Sequence, residues 1–71
     1  MQLLNKSLVI NGEIYNFQVQ FTVTSLLVYL GFNLDLIVID YNGTVLQKEF
    51  WKQTYLNAND TIEILTVAGG G

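Results

Sequence analysis

No cysteine, histidine or arginine occurs anywhere in the 71 residues. The first two absences remove the thiol nucleophile, the disulfide and the usual zinc ligands, and with them much of catalytic chemistry. The third weighs against nucleic acid as a partner. Phosphate-backbone binding draws on clustered Lys and Arg, and only Lys6, Lys48 and Lys52 stand against Glu13, Asp35, Asp40, Glu49, Asp60 and Glu63. The net charge of -3 would suit docking onto a basic protein surface, although ordinary solubility is the favoured explanation. Long hydrophobic runs are missing too. Leu26 to Leu30 and Leu36 to Ile39 fall far short of the roughly 20 apolar residues of a membrane span. The start, Met1-Gln2-Leu3-Leu4-Asn5-Lys6, lacks the pattern of a secretory signal, so the expected setting is a reducing, soluble compartment.

What remains is apolar: 51% of the residues are hydrophobic and 13% aromatic, enough for one small globular domain. Leu8-Val9-Ile10 followed by Asn11-Gly12 and a second extended stretch reads as an antiparallel hairpin, because Asn-Gly is the strongest short hairpin signal. In the second strand Tyr15, Phe17, Val19 and Phe21 alternate with polar residues, which predicts one face in the core. Val23, Leu26, Leu27 and Leu30 recur with helical spacing, between Thr22 as N-cap and Gly31 as a stop. Leu36 to Ile39 predicts a strand covered on both faces or lying centrally in a sheet. Asn42-Gly43 predicts a second hairpin into a strand at Thr44 to Leu46. Lys48 to Lys52 reads as a helical turn anchored by Phe50 and Trp51, Asn57 to Asp60 as a turn, and Thr61 to Val67 as the last strand. The expected architecture is α+β: a mixed sheet of about five strands packed on one main helix, a β-grasp or ubiquitin-like arrangement. Residues 1–67 form the domain and 68–71, Ala68-Gly69-Gly70-Gly71, a flexible tail.

Chemistry is left to that tail. A glycine run is a weak motif by itself, since a linker or a frayed end looks the same. Following a last strand, however, it offers a slim carboxylate that can thread a narrow channel. A free α-carboxylate, with a pKa of about 3.3 to 3.7, is an anion and a poor electrophile, so it needs activation. Adenylation by ATP would do this, and no Gly-rich phosphate loop followed by lysine occurs here, so the ATP site belongs to a partner. In the last strand Ile62 and Ile64 share one face while Glu63, Leu65 and Val67 share the other. If the first pair is core, Leu65 and Val67 are exposed, as a docking patch or as ordinary surface. Asp60 and Glu63 read as a cap and a solvated side chain rather than an acid pair. Phe50 and Trp51 read as core rather than as a stacking platform.

The chain resembles the ThiS sulfur carriers and, more distantly, MoaD and other ubiquitin-like proteins, from about Leu8 to Gly71. The resemblance is carried by Ile10-Asn11-Gly12, by Thr22-Val23-x-x-Leu26-Leu27, and by Val38-Ile39-x-x-Asn42-Gly43-x-Val45. It continues through Glu49-Phe50-Trp51, Asn59-Asp60-x-Ile62-Glu63-Ile64 and Val67-Ala68-Gly69-Gly70-Gly71. Two departures lie in turns, where they should alter local geometry: Asn59-Asp60 stands where the family usually has Gly-Asp, and no proline follows the fourth strand. The resemblance implies a cosubstrate rather than an enzyme. A ThiF-like adenylyltransferase would activate Gly71 with ATP and magnesium, a sulfur donor fed by a cysteine desulfurase would leave a thiocarboxylate, and the thiazole synthase ThiG would take the sulfur. Partner binding would fall on Gly69, Gly70, Leu65 and Val67, with no cofactor or metal held by the chain, no nucleic acid and no membrane. Bacterial cytoplasm or algal plastid stroma would be the location. The competing readings are a MoaD-like carrier for molybdopterin synthesis and a passive β-grasp interaction module.

Overall fold

A computed structural model describes residues 6–67. Five strands form one mixed sheet: β1 (Lys6–Ile10), β2 (Glu13–Phe17), β3 (Ile37–Tyr41), β4 (Thr44–Leu46) and β5 (Thr61–Thr66), in the order β2-β1-β5-β3-β4. The central strand β5 runs parallel to β1 and antiparallel to β3, and both hairpins are antiparallel. One helix, α1 (Val23–Tyr29), and two short 3-10 turns, Leu34–Leu36 and Lys48–Phe50, complete the chain. This is the β-grasp arrangement expected from the sequence.

Both Asn-Gly pairs make tight hairpin turns. Asn11 and Asn42 each sit at φ 51°, followed by Gly12 at 82° and Gly43 at 89°. Two consecutive positive φ values match the right-handed twist of the flanking strands, and Asn followed by Gly adopts them at the least steric cost. The helix begins with a reciprocal cap: Ser25 N–H donates to Thr22 Oγ1 at 3.1 Å, and Thr22 N–H donates to Ser25 Oγ at 2.8 Å. It ends in a Schellman motif, with Phe32 N–H donating to Leu27 O and Gly31 N–H to Val28 O, each at 3.0 Å.

The core lies between α1 and one face of the sheet. It comprises Leu8 and Ile10 of β1, Val23, Leu26 and Leu27 of α1, Ile37 and Ile39 of β3, Ile62 and Ile64 of β5, and Trp51 and Leu56 from the connection. Trp51 satisfies its indole N–H on Leu46 O at 2.9 Å, so the largest core side chain buries no unpaired polar atom. This connection also closes the helix end of the domain, because Val23 N–H donates to Thr54 O and Leu56 N–H to Phe21 O, each at 2.9 Å.

Three expectations are corrected. The second strand stops at Phe17, and only Phe17 and Phe21 of its aromatic stripe pack partly against the core; Val19 is exposed. Its edge position leaves α1 too narrow to cover it. Of the two readings of Leu36 to Ile39, a place inside the sheet holds, since β3 lies between β5 and β4, and cover on both faces does not: Ile37 and Ile39 are buried, while Leu36 and Val38 point outward. Phe50 is exposed although its neighbour Trp51 is buried, since the 3-10 turn aims consecutive side chains apart. The two departures from the family pattern leave the backbone intact. Asn59 adopts φ 70°, a left-handed value that glycine tolerates and asparagine takes more readily than most residues. Gln47, after β4, holds φ -63° without the ring that fixes that angle in proline.

Candidate functional site

The face of the sheet turned away from α1 carries no covering element among the described residues. Register alignment places Val38 opposite Leu65 and Asp40 opposite Glu63 on it. Beyond the last ladder pair, Val67 N–H donates to Leu36 O at 2.7 Å, which continues the pairing to the end of the described chain. Two apolar rungs, Leu36 with Val67 and Val38 with Leu65, therefore run toward the C-terminus. Below them lies an acidic rung, and Val45 of β4 stands opposite Asp40. Leu65 is 54% exposed and Val67 42%, so both lie exposed on the open face, as the alternation along the strand predicts. A connected apolar strip of this kind, rimmed by charge, is the usual mark of an interaction site.

The strand that carries the strip is fixed by the two hairpin turns. Asn42 Oδ1 accepts from Thr61 N–H at 2.7 Å at the start of β5, and Asn11 Oδ1 accepts from Ile64 N–H at 2.7 Å in its middle. The Asn11 contact matters because β1 pairs with β5 only at Val9–Thr61 and Ile10–Ile62; past that point the asparagine side chain substitutes for the missing strand. The turn leading into β5 is held by Asp60. Its carboxylate accepts from Tyr41 Oη, from Asn42 Nδ2 at 3.1 Å and from Asn57 N–H at 2.7 Å. Partial burial and the Asp60 carboxylate push the Tyr41 hydroxyl up to about 12.

Asp60 is thus a turn brace, and Glu63 is exposed on the open face. They form no acid pair. Gly69, Gly70 and Gly71 lie outside the described residues, so the tail's place is marked only by Val67. Sequence reasoning missed Leu36, Val38 and Val45 as members of the open face. A run of branched residues does not distinguish one covered face from two, and pairing with β5 was the signal that could have done so.

On the helix side a shallow depression of about 230 Å³ is lined by Thr24, Leu34, Lys48, Glu49, Trp51 and Lys52. Lys48 is engaged there by Asp35 at 2.7 Å, a pair in which the lysine holds the Asp35 carboxyl below its ordinary range. The two exposed lysines of the connection thus stand away from the acidic rung. Among the described residues no group of His, Cys, Asp and Glu could hold a metal ion, and no helix is long and apolar enough to cross a membrane.

Comparison with known proteins follows the same outline. The model of the ThiS family matches residues 8–71. The crystal structure of a thiamine biosynthesis protein (ThiS) from Geobacter metallireducens superposes with a TM-score of 0.80 at 29% identity, over 92% of this chain and 99% of that one. An uncharacterized protein ycf40 from Porphyra purpurea is 42% identical over 67 residues, 94% of each chain. A thiazole synthase from Paramagnetospirillum magneticum is 38% identical over 64 residues, 90% of this chain and 20% of that protein.

Proposed function

The chain belongs to the ThiS family, and from that membership we propose that it is a sulfur carrier of thiazole biosynthesis whose working group is the Gly71 carboxylate. The observation that carries the reading is the apolar strip of Leu36, Val38, Leu65 and Val67, which leads along β5 to the tail. A ThiF-like adenylyltransferase docks on this strip and receives the glycines in its own ATP site, with magnesium. The carboxylate oxygen attacks the α-phosphorus of ATP and expels pyrophosphate. The terminal sulfur of a persulfide, loaded by a cysteine desulfurase, then attacks the acyl carbon and expels AMP, and a partner thiol cleaves the resulting acyl disulfide, leaving the thiocarboxylate and itself ending in a disulfide. ThiG takes that sulfur, and the carrier returns with its carboxylate. The chain itself contributes the docking face and the tail, and its partners the catalytic groups.

Thiazole rather than molybdopterin is favoured by the thiazole synthase relative, in which a segment similar to this chain makes up 20% of the protein. Carrier and acceptor enzyme on one polypeptide is what a carrier that must meet that enzyme would lead to. Relatives from the algae Porphyra purpurea, Pyropia yezoensis and Trieres chinensis support a plastid location. The acidic rung of Asp40 and Glu63 asks for a basic rim around the partner's apolar socket.

Intact-protein mass spectrometry tests the reading. After incubation with ATP, magnesium, a matched ThiF-like enzyme and a sulfide source, the chain should gain about 16 mass units as one terminal oxygen becomes sulfur. A chain lacking Gly71 should gain nothing. No gain from the full chain with an enzyme of demonstrated activity would return the protein to the class of passive interaction modules.

A further inference from the structure

The two edges of the sheet are protected unequally. β4 is three residues long and offers little to a passing strand, whereas β2 is five residues long and in unbroken register with β1. Edge strands normally defend themselves with lysine, proline, a bulge or extreme shortness. β2, Glu13-Ile14-Tyr15-Asn16-Phe17, has none of these, and its one charge, Glu13, stands at its first residue. Which of its main-chain groups are free follows from β1. Val9 N–H donates to Asp60 O and Asn11 N–H to Ile62 O, each at 2.9 Å, so the odd-numbered residues of β1 face β5. Leu8 and Ile10 therefore bond β2 through their partners Tyr15 and Glu13, and the N–H and C=O of Ile14 and Asn16 point away from the sheet.

Side chains beside that edge are apolar and underused. Ile14 is 71% exposed. On the helix side Tyr15 stacks on Phe17, and Phe17 and Phe21 meet Tyr29, forming an aromatic patch remote from the strip of Leu65 and Val67.

We propose that β2 is a self-pairing edge, through which two copies of this chain join antiparallel into one continuous sheet. Self-pairing is favoured because the free groups are self-complementary. With Tyr15 of both copies on the two-fold axis, Ile14 of each copy exchanges both hydrogen bonds with Asn16 of the other. Shifting the register by two residues in either direction leaves one such pair within the strands. In the favoured register the two Tyr15 side chains meet in a non-bonded pair, the arrangement that brings side chains closest. Glu13 falls opposite Phe17 of the other copy, on the rung that Lys6 occupies one strand further in, so like charges stay apart. The two β5 strands then run antiparallel, and neither open face is covered. A self-paired carrier keeps both docking faces available.

Sedimentation of the full chain from about 10 µM to about 1 mM should show a reversible dimer with a Kd near 0.1 mM, in the range of small interfaces. Ile14→Lys should weaken it by about tenfold or more, because an edge lysine resists strand addition. The chain contains no cysteine, which allows a test of register. Under oxidised glutathione Tyr15→Cys should form a disulfide-linked dimer, since facing residues of a non-bonded pair suit disulfide geometry. Val45→Cys, on the opposite edge, should stay monomeric. A wild-type chain that sediments as a monomer at the highest concentration overturns the proposal. So does a dimer indifferent to Ile14→Lys, or equal cross-linking at both edges.

Discussion

β5 carries isoleucines toward α1 and Leu65 toward solvent, residues of similar size and hydropathy with opposite fates. Ile62 is fully buried and Ile64 nearly so, yet Leu65, one residue further on, is more than half exposed. Strand alternation produces the difference without any change in chemistry: one face meets Leu8, Leu26 and Leu27, and the other meets no covering element among the described residues. Burial on the first face stabilises the fold. Exposure on the second leaves that free energy unspent, and a partner can recover it. The strand thus divides its apolar side chains between holding the domain together and, on the proposed function, recognising another protein.

Truncation should separate the faces most sharply. Ile62→Ala removes fully packed atoms and should cost about 2–5 kcal/mol, enough to unfold much of so small a domain, whereas Leu65→Ala should stay within about 0.5 kcal/mol. Urea or thermal melts followed by far-UV circular dichroism would measure both, and a loss at Leu65 as large as that at Ile62 would mean that Leu65 is not on an open face. Leu65→Glu turns the comparison toward function. It should leave the melt nearly unchanged but weaken binding to the adenylyltransferase by about tenfold or more, equivalent to about 1.4 kcal/mol. Isothermal titration would decide it, and undiminished affinity would remove Leu65 from the docking face.

The asparagine braces come next in size. Asn42→Ala loses bonds to Thr61 N–H and Asp60 and should cost about 1–2 kcal/mol, while Asn11→Ala, with its single bond to Ile64, should cost somewhat less. A pH dependence completes the series. Because the folded state holds the Tyr41 hydroxyl up to about 12, the unfolded chain loses this proton first as pH rises past about 10. The unfolded state then binds fewer protons, so stability is full below pH 10 and declines between about 10 and 12. In Tyr41→Phe this part of the decline should vanish, as alkaline denaturation curves of the two proteins would show.

How much was legible beforehand varied with the range of the physics involved. Local signals were read well. Asn11-Gly12 and Asn42-Gly43 announce their turns through conformational preference alone, and the spacing of Val23, Leu26, Leu27 and Leu30 announces the helix and its buried side. The alternation in β5 gave the exposed positions of Leu65 and Val67 correctly. What failed depended on neighbours distant in sequence. Val38 looks like a doubly covered residue until β3 is seen to lie in a sheet with one open face. Tyr15 and Val19 look like core until β2 is seen at the edge. No spacing rule reveals that Asn11 completes the bonding of Ile64, because that contact joins residues 53 positions apart. Phe50 and Trp51 are adjacent aromatics, and only the direction of a 3-10 turn tells which is swallowed.

The central place of β5 has a mechanical consequence. A partner that pulled on the chain beyond Val67, as the proposed function requires, would load this strand along its axis. Its ladder bonds to β3, the β1 bonds and the two asparagine braces lie across that axis. They are loaded together, in shear, and none can be peeled away before the others. Traction on the end of the chain is therefore shared across the sheet, and the domain can be held by its last residues without coming undone.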